Sequence, residues 1–269
     1  MFAARHRFGI VAVIKMSKQS LHICHMYPDV LNLYGDRGNV ICLQKRLQWR
    51  GIDCKITSLP VGSRANLNSF DLFFIGGGQD FEQQLLQEDL RSSSKDKEIT
   101  AAVMDGKVFF CVCGGYQMMG HYYKTHKGEQ IDYLGACDFY TLGGKKRMIG
   151  NVAFEFGTAP DKKIPIVGFE NHSGKTYLGA DVQPLGKVIG GFGNNGEDGT
   201  EGVHDKNVFG TYAHGPVLPK NPQLADAVLQ CALEQKYGDA FCGLEPLDNS
   251  IELSARDDVL KNIMHLSLN

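Results

Sequence analysis

The stretch of sequence that decides the fold is residues 108–117, which read VFFCVCGGYQ. Five apolar residues in a row are typical of a strand that is buried on both faces of a parallel sheet. The two glycines that follow Cys113 allow a tight turn, and a helix begins behind them. A buried strand, a sharp turn and a helix with a cysteine at the turn indicate a nucleophile elbow.

Short apolar runs alternate with amphipathic stretches on both sides of this element. The sequence predicts strands at residues 21–26, 54–59, 71–75, 107–113, 134–140, 152–157, 164–170 and 208–212. Helices are predicted between the early strands, the first of them capped by Asn39, and again over residues 221–236 and near 253–264. This order predicts an α/β fold with a doubly wound, mostly parallel sheet flanked by helices.

Three regions are predicted along the 269 residues. Residues 1–20 form an N-terminal extension, residues 21–240 the main domain, and residues 241–269 a C-terminal helical segment. The apolar run Phe8–Ile14 follows two arginines, but no small-residue cleavage site precedes the polar stretch after it. We therefore do not expect a secretory signal.

Composition excludes several classes of protein. The chain has 28 Lys and Arg against 30 Asp and Glu, with no extended basic block, so a nucleic-acid binder is not expected. No apolar run approaches the roughly 20 residues that span a bilayer, so no membrane span is expected. The eight cysteines form no paired CxxC units, which predicts reduced thiols in the cytoplasm and no metal site.

Cys113 is the candidate nucleophile. A thiol held at a helix N-terminus has its thiolate form stabilised by unpaired backbone N–H groups. The alternative is that Cys113 is a small buried apolar residue, as most intracellular cysteines are. The strand, the double glycine and the helix together favour the nucleophile, whereas Cys111 lacks the turn and is expected in the core.

His214 is the candidate base, because it follows a short predicted strand and precedes a turn at Gly215 and Pro216. In open α/β sheets the carboxyl ends of the strands face the ligand crevice, where His214 and Cys113 could meet. His172 is the competing candidate. Either histidine could instead be an ordinary hydrogen-bonded loop residue.

Two glycine-containing segments could bind an anion. The turn at residues 76–78 fits either a phosphate loop or an oxyanion site, but Phe81 breaks the dinucleotide-binding spacing. Residues 168–176 carry one residue too many for a nucleotide P-loop, and no helix is predicted after them. We therefore expect no ATP site on this chain.

Residues 113–117 resemble the C-x-G-x-Q motif of class I glutamine amidotransferases, and His214 and the 76–78 turn occupy that family's chain order. Residues 27–39, 168–174 and 191–198 resemble, more narrowly, the glutaminase subunits of bacterial lipid II isoglutaminyl synthases, in the cobyric acid synthase-like branch. The resemblance covers roughly residues 21–240.

The resemblance implies that the Cys113 thiolate attacks the carboxamide of L-glutamine and that His214 transfers the protons. Backbone N–H groups of Gly114 and Gly78 would hold the oxyanion. Gln117 and Arg147 would bind the substrate. For Arg147 the alternative is that the Lys-Lys-Arg run is a solvated loop.

One position departs from the family pattern. Many class I enzymes carry an acid two residues after the histidine, where this sequence has Pro216. The site would then work as a dyad, or Glu170, Asp205 or a carboxylate of a partner would orient His214. We favour the partner, because a site completed by docking would limit wasteful glutamine hydrolysis.

The resemblance also implies a partner, a MurT-type Mur ligase subunit that receives the ammonia within a heterodimer. That subunit would bind ATP and Mg²⁺ and amidate the D-glutamate of lipid II, while this chain carries no cofactor. Two alternatives remain: the glutaminase of a cobyric acid-type amidotransferase, and a non-catalytic regulatory subunit.

Overall fold

The computed structural model describes residues 18–78, 80–159 and 162–266. Residues 1–17 of the predicted N-terminal extension therefore lie outside the described part of the chain. The strands are β1 Ser20–Met26, β2 Asp53–Leu59, β3 Leu72–Ile75, β4 Val108–Val112, β5 Tyr122–Lys124, β6 Gln130–Asp132, β7 Phe139–Ala159, β8 Lys162–Leu178, β9 Gly186–Gly190, β10 Thr200–Glu201, β11 Val203–Asp205 and β12 Val208–Thr211. The helices are α1 Arg37–Trp49, α2 Asp80–Ser93, α3 Lys95–Met104, α4 Gly114–Met118, α5 Val217–Lys220, α6 Pro222–Tyr237 and α7 Ser250–Asp258.

The central sheet has the strand order β11-β12-β4-β3-β1-β2. Every pairing in it is parallel except that of β11 with β12. Helices surround this sheet, so the predicted fold class is confirmed. The strands predicted at residues 21–26, 54–59, 71–75 and 107–113 correspond to β1 to β4.

The centre of this sheet is apolar on both faces. All residues of β3 and β4 are buried, and the ring of Phe73 stacks on that of Phe109 at 4.5 Å between centroids. A short strand covered on both faces has no polar side to alternate with, which explains the continuous apolar runs. Because β3, β4 and β12 are parallel neighbours, the residues that follow them meet at one edge of the sheet.

The second sheet was not predicted. It has the order β10-β9-β7-β5-β6, and β8 pairs with β7 to form a long antiparallel hairpin. The strand predicted at residues 134–140 is wrong apart from its last two positions. Its backbone is bound elsewhere, because the N–H groups of Leu134 and Cys137 donate to the carbonyls of Met118 and Met119 at the end of α4.

The hairpin also extends beyond the strands predicted at residues 152–157 and 164–170. Residues 168–176 continue β8, and buried side chains alternate with more accessible ones along the strand. A strand through this segment excludes the loop-and-helix geometry of a nucleotide P-loop.

The first helix begins at a different residue from the one predicted. Asp36, not Asn39, stands at the N-cap of α1, and its side chain makes no capping bond. The Asn39 side chain is buried in the helix and accepts a hydrogen bond from the N–H of Leu218 at 2.9 Å. Asn39 therefore connects α1 to α5. The carboxylate of Asp36 takes no part in capping the helix.

The chain after residue 240 contains an irregular segment and a helix. Residues 241–249 have no regular secondary structure, and α7 continues into a π-helical turn at Val259–Ile263. None of the helices in the described ranges combines the length and apolar character that crossing a bilayer requires.

A buried arginine joins α1, α6 and the C-terminal segment. The guanidinium of Arg46 donates two hydrogen bonds of 2.7 Å to Asp226 and one of 3.0 Å to Asn249. Arg50 donates to the same carboxylate at 2.9 Å. Because the Arg46 side chain is only 2% exposed, its charge depends on Asp226 for compensation.

We expect Asp226→Ala to lower the free energy of unfolding by about 3 kcal/mol, since it leaves a buried guanidinium unpaired. Urea denaturation followed by circular dichroism measures the change. The matched control is Glu234→Ala, an exposed carboxylate on the same helix, which should change stability by less than about 0.5 kcal/mol. Equal effects of the two substitutions would show that the buried pair of Arg46 and Asp226 does not stabilise the fold.

Candidate active site

Cys113 lies at the sharp turn between β4 and α4. Its backbone has φ +48° and ψ −105°, a conformation that non-glycine residues rarely adopt and that stores strain. A Cβ at Gly115 would lie 2.6 Å from the carbonyl oxygen of Ile75 and 2.8 Å from that of Gly76. Only glycine fits there, which explains why the turn after Cys113 contains this residue.

His214 follows β12 and is fully buried. Its backbone pairs with Phe169 of β8, with N–H to carbonyl distances of 2.8 and 3.2 Å in the two directions. A Cβ at Gly77 would lie 2.5 Å from His214 Cε1 and 3.3 Å from Cys113 Cβ. The structure therefore brings the candidate nucleophile and the candidate base together, on either side of a glycine that has no room for a side chain.

The 76–78 turn lies against the elbow. The N–H of Gly115 donates to the carbonyl of Gly76 at 3.1 Å, and a Cβ at Gly114 would lie 3.2 Å from the nitrogen of Gly78. The backbone nitrogens proposed for the oxyanion are thus carried by adjacent chain segments beside Cys113.

Asp36 is the carboxylate next to His214. Its Oδ2 lies 3.5 Å from His214 Nδ1 and accepts a hydrogen bond of 2.7 Å from the N–H of Gly77. Burial disfavours the charged imidazolium, but the Cys113 sulfur and the Asp36 carboxylate favour it more and raise the pKa of His214 to about 10. The surroundings of His214 therefore stabilise its protonated form.

Gln117 lies on α4, four residues after Cys113, and is buried. Its Nε2 donates to the hydroxyl of Tyr212 at 3.0 Å, and that hydroxyl shares a hydrogen bond of 2.7 Å with Thr176 Oγ1. The side chain of Gln117 is thus part of a buried polar network that joins α4 to the second sheet. The network fixes the orientation of the Gln117 side chain.

Arg147 is exposed in a β-bulge of β7, where the register shifts between Gly143 and Met148. Its Nε donates to Asn171 Oδ1 at 2.7 Å and its Nη2 to the Asn171 carbonyl at 2.9 Å. Asn171 in turn donates a short hydrogen bond to the hydroxyl of Tyr34, whose ring lies 5.0 Å from that of His214. Two residues, Asn171 and Tyr34, therefore lie between Arg147 and the candidate base in this chain of contacts.

Comparisons with known proteins fit this geometry. The CobB/CobQ-like glutamine amidotransferase domain matches residues 22–222. The lipid II isoglutaminyl synthase (glutamine-hydrolyzing) subunit GatD of Staphylococcus aureus is 42% identical over 239 residues, which are 88% of this chain and 93% of that protein. The GatD subunit of Streptococcus pneumoniae is 38% identical over 89% of this chain and 87% of its own length.

The chain belongs to the GatD family. A cobyric acid synthase of Clostridium acetobutylicum is similar over a shorter region, with 30% identity over 58% of this chain and 31% of that protein. The GatD-family match thus extends over nearly the whole of both sequences, as the predicted resemblance implied.

Two carboxylates that the sequence analysis left open as partners of His214 make other contacts, and the favoured alternative, a carboxylate of the partner subunit, stays a prediction. Glu170 accepts hydrogen bonds from the N–H groups of Phe192 and Gly193, at 2.7 and 2.9 Å, and so holds the glycine-rich stretch between β9 and β10. Asp205 is paired with Lys206 at 2.9 Å. Among the described side chains, the carboxylate that lies beside His214 is that of Asp36, which the sequence analysis did not consider. Its position after β1, at the same edge of the sheet as Cys113, was the signal that could have identified it.

His172, the other histidine considered as the base, lies in β8. Its ring stacks on that of Tyr212 with centroids 3.6 Å apart, and its Nδ1 is 2.8 Å from the carbonyl oxygen of Gly174. Its Nε2 is 3.6 Å from Glu170 Oε2. These contacts place His172 in the buried interior of the second sheet, whereas His214 is the histidine next to Cys113.

The raised pKa of His214 predicts a pH dependence of stability. Its folded-state pKa of about 10 lies above the ordinary value of 6.5, so the stabilisation is complete below pH 6.5 and is lost as the pH rises through about 10. The stability advantage of the wild type over His214→Gln should therefore shrink across this window, as measured by urea denaturation at several pH values. The control His121→Gln, at a partly exposed histidine, should follow the wild type; a constant wild-type advantage over His214→Gln would contradict the raised pKa.

Proposed function

We propose that this chain hydrolyses L-glutamine through a thioester on Cys113 and delivers the ammonia to a ligase subunit. One observation carries the proposal: the strained elbow of Cys113, the buried His214 and the backbone of the 76–78 turn converge around Gly77. A nucleophile beside a histidine and beside backbone N–H groups is the arrangement that acyl transfer requires. The similarity to glutamine-hydrolysing subunits identifies the acyl group as the side chain of glutamine.

In the first half of the reaction the Cys113 thiolate attacks the carboxamide carbon. The carbonyl oxygen becomes an oxyanion, which accepts hydrogen bonds from the N–H groups of Gly78 and Gly114. The imidazolium of His214 gives its proton to the departing nitrogen, so that ammonia leaves and a glutamyl thioester remains. The raised pKa of His214 suits this step, because the residue begins it protonated.

In the second half a water molecule attacks the thioester. His214, now neutral, takes a proton from the water, and the carbon–sulfur bond breaks to release glutamate and the Cys113 thiolate. Arg147 and Gln117 bind the substrate, and the guanidinium of Arg147 suits the α-carboxylate of glutamine. The sum of the two halves is glutamine plus water giving glutamate plus ammonia.

The ammonia passes to a MurT-type Mur ligase in a heterodimer. That subunit uses ATP and Mg²⁺ to activate the α-carboxyl of the D-glutamate in the lipid II stem peptide, and amidation gives D-isoglutamine for peptidoglycan synthesis. The names of the two GatD relatives, both subunits of a lipid II isoglutaminyl synthase, support this assignment. A cytoplasmic location belongs to the proposal, since the ligase step consumes ATP.

A second candidate function is glutaminase activity for a cobyric acid-type acceptor. It is favoured by the similarity to cobyric acid synthase, which covers 58% of this chain. The GatD relatives match a larger share of the chain at higher identity, so lipid II is the acceptor we propose. Mixing the chain with the Mur ligase, ATP, glutamine and lipid II, and analysing the product by mass spectrometry, distinguishes the acceptors.

A diazoketone analogue of glutamine should alkylate Cys113 of the chain with its partner present, because the sulfur would attack it as it attacks the substrate. Peptide mass mapping locates the adduct. Cys113→Ala should abolish the adduct. It should also lower the rate of glutamine hydrolysis by about a thousandfold or more. Cys242→Ala removes an exposed thiol and should change neither. A wild-type chain that stays unlabelled in the complex would overturn the proposed function.

Replacing Arg147 by alanine should raise the KM for glutamine about ten- to a hundredfold, since a hydrogen bond to a charged group contributes about 1.5–3 kcal/mol. Steady-state release of glutamate measures this change. Lys145→Ala removes an exposed charge two residues away and should change KM by less than about threefold. An equal change of KM in both variants would contradict the role of Arg147 in binding the substrate. The Lys-Lys-Arg run would then act only as a positively charged surface.

A further inference from the structure

Tyr212 lies between the candidate site and the second sheet, and its hydroxyl contacts Gln117. We propose that Tyr212 is a positioning residue of the glutaminase reaction, which holds the carboxamide of Gln117 in the orientation that binds glutamine. His172 and Thr176 of β8 hold Tyr212 in turn. The inference rests on the proposed function and deepens it, because it explains how the second sheet takes part in substrate binding.

The side chain of Gln117 extends toward the nucleophile. Its N–H donates to the carbonyl of Cys113 at 2.9 Å, one helical turn earlier. Residues four apart on a helix lie on the same face, and a helical side chain points back toward the N-terminus of its helix. A long side chain loses rotamer freedom when it binds a ligand, so one that is already fixed binds the ligand more tightly.

The hydroxyl of Tyr212 holds this carboxamide by its nitrogen. The phenol oxygen accepts the bond of 3.0 Å from Gln117 Nε2, so its single proton is available to Thr176 Oγ1, 2.7 Å away. Thr176 Oγ1 lies 2.8 Å from Thr141 Oγ1. All four side chains are buried, and hydrogen bonds in a buried chain strengthen one another. The whole row of hydroxyls therefore supports the orientation of Gln117.

The ring of Tyr212 is fixed as well. The ring of His172 stacks on it with centroids 3.6 Å apart and an interplanar angle of 4°. The ring of Tyr116 meets it edge-on at 5.2 Å, and its backbone N–H donates to Glu201 at 2.8 Å. His172, which is not the base, thus serves as the wall that keeps the hydroxyl of Tyr212 in place.

The approach of Gln117 to β8 depends on the space at Gly174. A Cβ there would lie 2.6 Å from Gln117 Nε2 and 2.7 Å from Thr141 Cγ2. Any larger residue would displace the carboxamide from the row of hydroxyls. The glycine that makes residues 168–176 resemble a nucleotide loop is therefore needed for this contact.

The glycine-rich stretch between β9 and β10 supports the same residues from behind. The N–H of Thr176 donates to the carbonyl of Asn194 at 2.8 Å, and its carbonyl accepts Asn195 Nδ2 at 3.0 Å. Asn194 Oδ1 also accepts the hydroxyl of Tyr116 at 3.1 Å. This stretch therefore fixes β8 at the residue that contacts Tyr212.

The phenol of Tyr212 stays protonated. Burial raises its pKa, and the sulfur of Cys113 raises the pKa further. A neutral phenol can accept from Gln117 and donate to Thr176 at the same time. We therefore expect Tyr212 to act through these hydrogen bonds and not as an acid or a base.

The test is Tyr212→Phe in the complex of the chain with its ligase partner. Phenylalanine keeps the ring and its stacking on His172 but removes the hydroxyl. We expect the KM for glutamine to rise about three- to tenfold, the usual effect of losing one hydrogen bond between neutral groups. The kcat should stay within about threefold of the wild type, because a group that binds substrate and transition state alike affects KM alone.

A double-mutant cycle shows whether Tyr212 acts through Gln117. Gln117→Ala should raise KM by itself, and adding Tyr212→Phe to it should change KM by less than about twofold further. A purely structural effect of Tyr212→Phe would multiply with that of Gln117→Ala. Multiplying effects, or a wild-type KM in either single variant, would overturn the inference.

The control is Tyr177→Phe, which removes the hydroxyl of a partly exposed tyrosine next to Thr176 on β8 and should keep the wild-type KM and kcat. All these comparisons are made between active enzymes, so failure of the inference leaves the proposed function intact. A wild-type complex that neither hydrolyses glutamine nor reacts with the diazoketone would instead overturn the proposed function.

Thr176 provides a second measurement if Tyr212→Phe does not fold. Thr176→Val keeps the shape of the side chain but removes the hydroxyl beside Tyr212, and it should raise KM about two- to fivefold. Thr176→Ser keeps the hydroxyl and should have a KM within about twofold of the wild type. A wild-type KM in Thr176→Val would contradict the positioning role.

Discussion

The close approach of three chain segments at Gly77 is the constraint on which the candidate site depends. Cys113 and His214 follow β4 and β12, and Asp36 stands at the N-cap of α1, in the segment that follows β1. A Cβ at Gly77 would lie 2.5 Å from His214 Cε1, 3.2 Å from Asp36 Oδ2 and 3.3 Å from Cys113 Cβ. Parallel pairing of β1, β3, β4 and β12 places the ends of these strands at one edge of the sheet. The absence of a side chain at a single residue then lets the groups approach to within a few ångströms.

The rest of the fold holds that approach in place. The apolar strands β3 and β4 fix the origins of the glycine turn and of the elbow, since both are fully buried. The hairpin of β7 and β8 supplies Phe169, which holds the backbone of His214 through two hydrogen bonds. The second sheet therefore has a direct part in the site, although it adds no strand to the central one.

The central sheet and the elbow could be predicted because their signals are local. A run of buried apolar residues specifies its strand, and the cysteine followed by two glycines specifies the turn. The second sheet could not be predicted in the same way: residues 168–176 contain glycines and polar side chains that resemble a loop, and only pairing with β7 makes them a strand. Asp36 was missed because only its position after β1 indicates the site, and no local motif marks it. Its partner His214 is 178 positions away in the sequence, and the contact arises from tertiary packing.

Burial lowers the reactivity of most thiols of this chain. It raises the pKa of Cys24, Cys42 and Cys137 to about 12 and that of Cys54 and Cys231 to about 11. Burial also raises the pKa of Cys111 well above its usual range. Protonated thiols react slowly with electrophiles. A covalent inhibitor shaped like glutamine would therefore meet few competing sulfur atoms within the same molecule, and its selectivity would be determined by how well it fits beside Gly77.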